Sequence, residues 1–124
     1  MDEDRSTTVE QLKLLIQKFC EAREWDKFHN AKDLAIGIVT EGSELLERFR
    51  FKSETEVDRL FNSPESKAEV AEEISDTLYF TLRLAQRYNI DVSSELRKKL
   101  KKNEVRYPVQ KAKGSNKKYT EFDA

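Results

Sequence analysis

Apolar residues recur at helical spacing in four stretches of this chain, separated by short polar breaks. In the first, Val9, Leu12, Ile16, Phe19 and Arg23 mark one face, which predicts a helix from about Val9 to Glu24. Thr7 with Glu10 three residues later reads as its capping box. The segment from Trp25 to His29 breaks the pattern. Asn30, with Asp33 three later, opens a second helix that continues to about Phe49. A connection from Arg50 to Ser63 follows, with a helical turn expected around Thr55 to Phe61. Ser63-Pro64 places a capping serine before a proline at the first helical position, and predicts a third helix to about Tyr88. Asp91 or Ser93 opens a fourth, which ends near Arg106 because Pro108 cannot continue it. Residues 109–124 have no period and contain Gly114-Ser115-Asn116, so they read as an extended basic arm. The expected fold is all-α: one four-helix bundle-like domain over residues 1–124 with a C-terminal arm.

Composition agrees with this and narrows the partners. Charged residues make up 38% of the 124 positions, with three Gly and two Pro. A helical chain this short and this charged has a modest core, and is expected to complete it by pairing with copies of itself. Acidic and basic residues nearly cancel, for a formal charge of −1, so no global field favours nucleic acid or a membrane surface. The last quarter is locally basic (Arg97, Lys98, Lys99, Lys101, Lys102, Arg106, Lys111, Lys113, Lys117 and Lys118). That stretch is either a solvated helix end or a surface for a polyanionic ligand; without interleaved aromatics it does not read as a nucleic-acid interface. The single cysteine, Cys20, excludes an internal disulfide, and no apolar run is long enough to span a bilayer. A reducing, cytoplasmic setting is expected.

Two carboxylate pairs carry the candidate chemistry. Glu41-x-x-Glu44 and Glu73-x-x-Asp76 each place two acids three apart, on one face of their helices. At roughly 100° per residue, Glu41 falls at the edge of the apolar arc of Leu34, Leu45, Ile38, Phe49, Ala35, Leu46 and Val39, and Glu44 one step further out. Glu73 and Asp76 take the matching places beside the arc of Leu84, Val70, Tyr88, Thr81, Ile74, Ala85 and Leu78, with Phe80 between them. Gly37 lies between Glu41 and Glu44 on the wheel. A mid-helix glycine costs about 1 kcal/mol against alanine, which suggests a close approach there. Partners for simple i,i+4 salt bridges are sparse: only Glu44 has one, Arg48. An ordinary solvated acidic face is the alternative. Convergence of four hard oxygen donors points instead to a site for Mg²⁺, with Mn²⁺ as a substitute. A di-iron bundle would need two Glu-x-x-His motifs, and the chain has one histidine, His29.

With these residues in place, the chain resembles the MazG-like, all-α nucleoside triphosphate pyrophosphohydrolases. The likeness rests on the two carboxylate motifs together with Arg23 to His29, Asn103 to Pro108 (with its Arg-Tyr-Pro) and Lys118 to Glu121, and it looks like the dCTP pyrophosphatase branch. The resemblance implies Mg²⁺-dependent hydrolysis of a (deoxy)nucleoside triphosphate, dCTP or a modified dCTP, to the monophosphate and pyrophosphate. It also implies a homodimer or homotetramer. Carried over by position, Glu41, Glu44, Glu73 and Asp76 hold the metal and serve catalysis, with Glu69 or Glu72 nearby to position water. Trp25, Phe51, Phe80, Asn103, Arg106 and Lys118 are the implied substrate contacts. Ile16, Phe51 and Phe80 depart from the dCTP-type pattern, where a histidine, a tryptophan and a tyrosine stand; the base preference is therefore open. A non-catalytic nucleotide- or partner-binding module on the same scaffold is the alternative function.

Overall fold

A computed structural model describes residues 2–122, which form two compact units, one up to Asn89 and one from Ile90. Among the described residues there are helices and turns but no strand, and no helix is long and apolar enough to cross a membrane.

The first unit contains α1 (Val9–Ala22), α2 (Ala31–Glu47), α3 (Glu54–Leu60) and α4 (Pro64–Arg87). Its helix starts follow local chemistry. Asn30, Ser53 and Ser63 each accept a hydrogen bond from the backbone N–H three residues on, and Pro64 stands in the first turn of α4. The α1 cap is displaced by one from the expected Thr7–Glu10 pair. Thr8 accepts from the Gln11 backbone N–H, and the Gln11 side chain accepts in return from the Thr8 N–H. Both Thr-x-x-Glu and Thr-x-x-Gln make capping boxes, and the structure selects the second. The expected turn in the 50–63 connection is the two-turn helix α3.

Helix α4 packs chiefly on α2 and next on α1. Among the described residues, Cys20, Leu34, Val70, Leu82 and Ala85 are the buried apolar ones. This is a small core, and the arcs expected to fill it are only partly used. Val39 and Leu46 on α2 remain 70% and 60% exposed, and Ile74 and Leu78 on α4 are exposed as well. The face α4 buries within the chain includes Glu73 and Arg83, which lay outside the apolar arc. Much of the apolar surface of α2 and α4 is left exposed.

In the second unit, α5 (Val92–Arg106) is capped by Asp91, and α6 (Val109–Ala112) follows Pro108. Gly114 takes φ +75°, and a 3-10 turn at Tyr119–Glu121 brings Tyr119 edge-on to Tyr107, with Phe122 edge-on to the same ring. These ring contacts give residues 109–122 more local structure than the expected extended arm; residues 123 and 124 lie outside the described chain. Ring packing across a Pro-Val and a Gly-Ser step leaves no helical or strand period to read.

Candidate active site and metal centre

The caps of α2 and α4 set the registers that turn their acidic pairs toward each other. Glu41, Glu44, Glu73 and Asp76 each contribute a carboxylate oxygen to a cluster in which these four atoms lie within 4.8 Å of one another. At that separation two ionised carboxylates repel by about 3.5 kcal/mol at an effective dielectric of about 20. The fully charged cluster is therefore unstable without a cation.

Two features show how the protein manages the charge. Glu41 is pushed up to about 7, first by a hydrogen bond with the Glu44 carboxyl, then by burial and by its acidic neighbours. Glu41 thus holds its proton far above the usual carboxylate range. Glu73, only 9% exposed, has one oxygen, Oε1, accepting from Arg48 Nη2 at 3.0 Å, while Arg48 Nη1 donates to Glu69 Oε2 at 2.9 Å. Arg48 therefore reaches across to α4 instead of pairing with Glu44 four residues before it. Two oxygens of the cluster, Glu41 Oε2 and Glu73 Oε2, are buried without a hydrogen-bond partner. Orphaned buried carboxylate oxygens inside an all-oxygen donor set fit a hard divalent cation.

Beside the cluster is a cleft of about 440 Å³ lined by Leu15, Ile16, Phe19, Trp25, Asp76 and Tyr79. Asp76 belongs to both features. Ile16 and Phe19 come from the apolar face read for α1. Trp25 arrives through the end of that helix: Glu24 adopts φ 55°, and the Trp25 and Glu24 N–H groups donate to the Cys20 and Glu21 carbonyls. That is a Schellman closure with a glutamate where glycine is usual. It sets the indole edge-on to Phe19, with ring centroids 5.7 Å apart. Tyr79 Oη lies 3.1 Å from Cys20 Sγ. Burial, and then that thiol, raise the phenol above its ordinary value, so Tyr79 stays neutral.

The other expected substrate contacts divide. Phe80 lies against Gly37, whose missing side chain makes room for its ring, and edge-on to Tyr79. The close approach anticipated at Gly37 is this one. Phe51 does not join the cleft within its chain: it is 91% exposed at φ 64°, with the Arg50 guanidinium 4.5 Å from its ring centroid. Asn103, Arg106 and Lys118 belong to the second unit. There the Arg106 guanidinium lies 4.8 Å from the Tyr119 ring centroid, and Lys118 precedes the 3-10 turn. His29 accepts a hydrogen bond from Arg83 at Nδ1, and burial followed by the Arg83 charge lowers its imidazole below the ordinary value.

Leu15, Tyr79 and Arg48 were not singled out from the sequence as site residues. Tyr79 had a usable signal, being one turn beyond Asp76 on the same helix. Arg48 reads from spacing only as an i,i+4 partner of Glu44, because its partners in the structure, Glu69 and Glu73, are on another helix.

Known proteins share this arrangement of helices. Residues 36–122 match the MazG-like family. The chain is 36% identical to dCTP pyrophosphatase 1 of Mus musculus over 115 residues, which span 93% of this chain and 68% of that protein. The Homo sapiens protein of the same name is 35% identical over the same shares. Among solved structures, a pyrophosphatase from Archaeoglobus fulgidus DSM 4304 superposes with a TM-score of 0.75 at 36% identity, covering 80% of this chain and 91% of that one. The acidic pairs on α2 and α4 fall inside the matched region, and the chain belongs to the MazG-like family.

Proposed function

We propose that this protein is a nucleoside triphosphate pyrophosphohydrolase that acts on dCTP or a modified dCTP, with Mg²⁺ held by Glu41, Glu44, Glu73 and Asp76. The observation that carries the reading is the pair of unpartnered buried oxygens, Glu41 Oε2 and Glu73 Oε2, within a four-carboxylate cluster that opens on an aromatic cleft. The relatives named dCTP pyrophosphatase 1 supply the substrate class.

A bound divalent cation would screen the triphosphate from the acids and stabilise charge on the phosphate oxygens. The protein's own groups do the rest. Arg48 holds Glu73 so that its second oxygen stays directed into the cluster. The carboxylates orient a water toward the α-phosphorus and take up its proton; the new P–O bond forms as the bond to the β-phosphate bridge breaks, and pyrophosphate leaves. Trp25, Phe19 and Tyr79 offer aromatic surface to the base, and Ile16 offers it no hydrogen bond. Phe80 acts indirectly, through its contact with Gly37. Phe51, extended into solvent, fits the site of a neighbouring copy, and Asn103, Arg106 and Lys118 fit phosphate or sugar contacts. The uncovered apolar surface of α2 and α4 supports a homodimer or homotetramer. A cytoplasmic setting suits a nucleotide-pool enzyme with one unpaired cysteine.

The test is pyrophosphate release from a panel of canonical and modified deoxynucleoside triphosphates, with and without Mg²⁺. Turnover is expected only with metal, and Glu44→Ala and Asp76→Ala are expected to abolish it. No turnover of any nucleotide would favour the non-catalytic binding module, and full activity in either variant would refute the site.

A further inference from the structure

The indole wall of the cleft is held by a polar cluster that the proposed chemistry does not use. At its centre Arg83 on α4 is fully buried, 0% exposed. A guanidinium is buried without heavy cost only when its donors are met. Here Nε donates to His29 Nδ1 at 3.0 Å, Nη1 to Gln86 Oε1, and Nη2 to the Asp26 carboxylate. Arg87, one turn on, donates from Nε to the His29 carbonyl at 3.4 Å, and its Nη1 lies 3.8 Å from Asp26 Oδ2. Apart from Gln86 on the same helix, every one of these contacts ends on the turn between α1 and α2. None ends on a carboxylate of the cluster.

That turn carries the cleft's tryptophan. Asp26 follows Trp25 directly, and the His29 ring is 6.1 Å from the indole, centroid to centroid. The approach from α1 is the left-handed Glu24, a conformation that an L side chain with a Cβ disfavours. The local sequence alone therefore holds the turn poorly, and its anchorage comes from α4.

We propose that Arg83 is a positioning residue for nucleotide binding: through Asp26 and His29 it locks the turn onto α4 and so fixes the Trp25 wall against which the base lies. This rests on reading the cleft as the base pocket. The predicted signature is specific. Loss of Arg83 weakens nucleotide binding and loosens the indole, while the metal site keeps its affinity.

Trp25 is the only tryptophan, so its fluorescence reports on the wall directly. The full chain is compared as wild type, Arg83→Met and Asp26→Asn, the last being milder because Asp26 is part-exposed. Acrylamide quenching and anisotropy are measured without nucleotide, followed by titration with a non-hydrolysable α,β-imido analogue of dCTP. Mn²⁺ affinity is measured by calorimetry, and KM and kcat by pyrophosphate release. Both variants are expected to expose the indole to quencher and to raise KM, Arg83→Met by about tenfold and Asp26→Asn by less, with kcat nearly unchanged. Unchanged Mn²⁺ affinity supports the proposal, and a parallel loss of metal binding would overturn it as general destabilisation. Folded variants with wild-type quenching and KM would also overturn it; if Arg83→Met fails to fold, Asp26→Asn decides alone. If the analogue leaves the wild-type indole unchanged, the base-pocket reading falls and takes this proposal with it. If the wild type responds and the variants match it in every measurement, only the proposal falls.

Discussion

Replacing Gly37 with alanine tests whether the approach of α2 to α4 sets the carboxylate geometry. A Cβ at this position would lie 2.5 Å from Phe80 Cδ1, 2.6 Å from Cε1 and 2.7 Å from Cγ. Carbon atoms in contact prefer about 3.5–4.0 Å, so the ring or the helix must retreat by about 1 Å. Turning the ring about its own axis does not help, because Cγ lies on that axis. Overpacking of this kind costs about 1–3 kcal/mol, against about 1 kcal/mol gained from replacing a mid-helix glycine. The net expectation is a loss of about 1 kcal/mol, which lowers Tm by about 4–8 °C for a folding unit of this size. The functional readout is sharper. Gly37 is one turn before Glu41, and Phe80 is one turn beyond Asp76, so separating the helices here opens the cluster. Divalent metal affinity should fall by about tenfold, as when a ligand's support is lost. Thermal unfolding without metal and Mn²⁺ calorimetry measure the two effects. Gly42→Ala is the control: beyond its chain neighbours and its own helix backbone, nothing lies within 4 Å of its Cβ position, so it should gain up to about 1 kcal/mol. Gly37→Ala protein that melts above wild type and binds metal equally well would refute the reasoning.

Glu41, raised from 4.5 to about 7, makes the metal-free protein bind more protons folded than unfolded between those values. Its contribution to stability is therefore complete below about 4.5 and is lost as pH rises through about 7. Melts at pH 5 and pH 8 should show the decline, Glu41→Gln should flatten it, and Mn²⁺ affinity should climb with pH and level off above about 7 as the proton is displaced. Val39→Glu, on the uncovered face of α2, should shift the protein to single chains in sedimentation; a wild type that already sediments as single chains would contradict the assembly.

The helices were legible because their signals are local. Asn30 with Asp33 and Ser63 with Pro64 fix two starts within a few residues, and the same periodicity that names the apolar arcs names their edges. The arcs misled in one respect. Ile74, Leu78, Val39 and Leu46 read as core and are exposed, because helical period reports that a face is apolar without saying whether the chain's own core covers it. The misplaced α1 cap has a similar origin: two overlapping boxes satisfy one rule, and only the backbone geometry decides between them.

The site divides along the same line. Glu41, Glu44, Glu73 and Asp76 were readable because each pair lies within one helix, three residues apart, and Gly37 added a second local clue about the packing between them. The walls of the cleft depend on pairings 54–59 residues apart: Arg83 with His29 and Asp26, and Tyr79 with Cys20. No helical period records such pairings. Arg83 on a helix wheel is one more charged residue, and only burial reveals that its charge is spent on holding a turn. Local spacing suffices for the acids because the metal centre proposed for them would require only that four oxygens meet at one point. Recognition of a base would require a wall held at a fixed distance, and the cleft walls are built from contacts between α1, the 26–29 turn and α4. Proteins can therefore share the acidic pairs while differing in every residue that braces the cleft, and differences in base preference should follow the braces more closely than the acids.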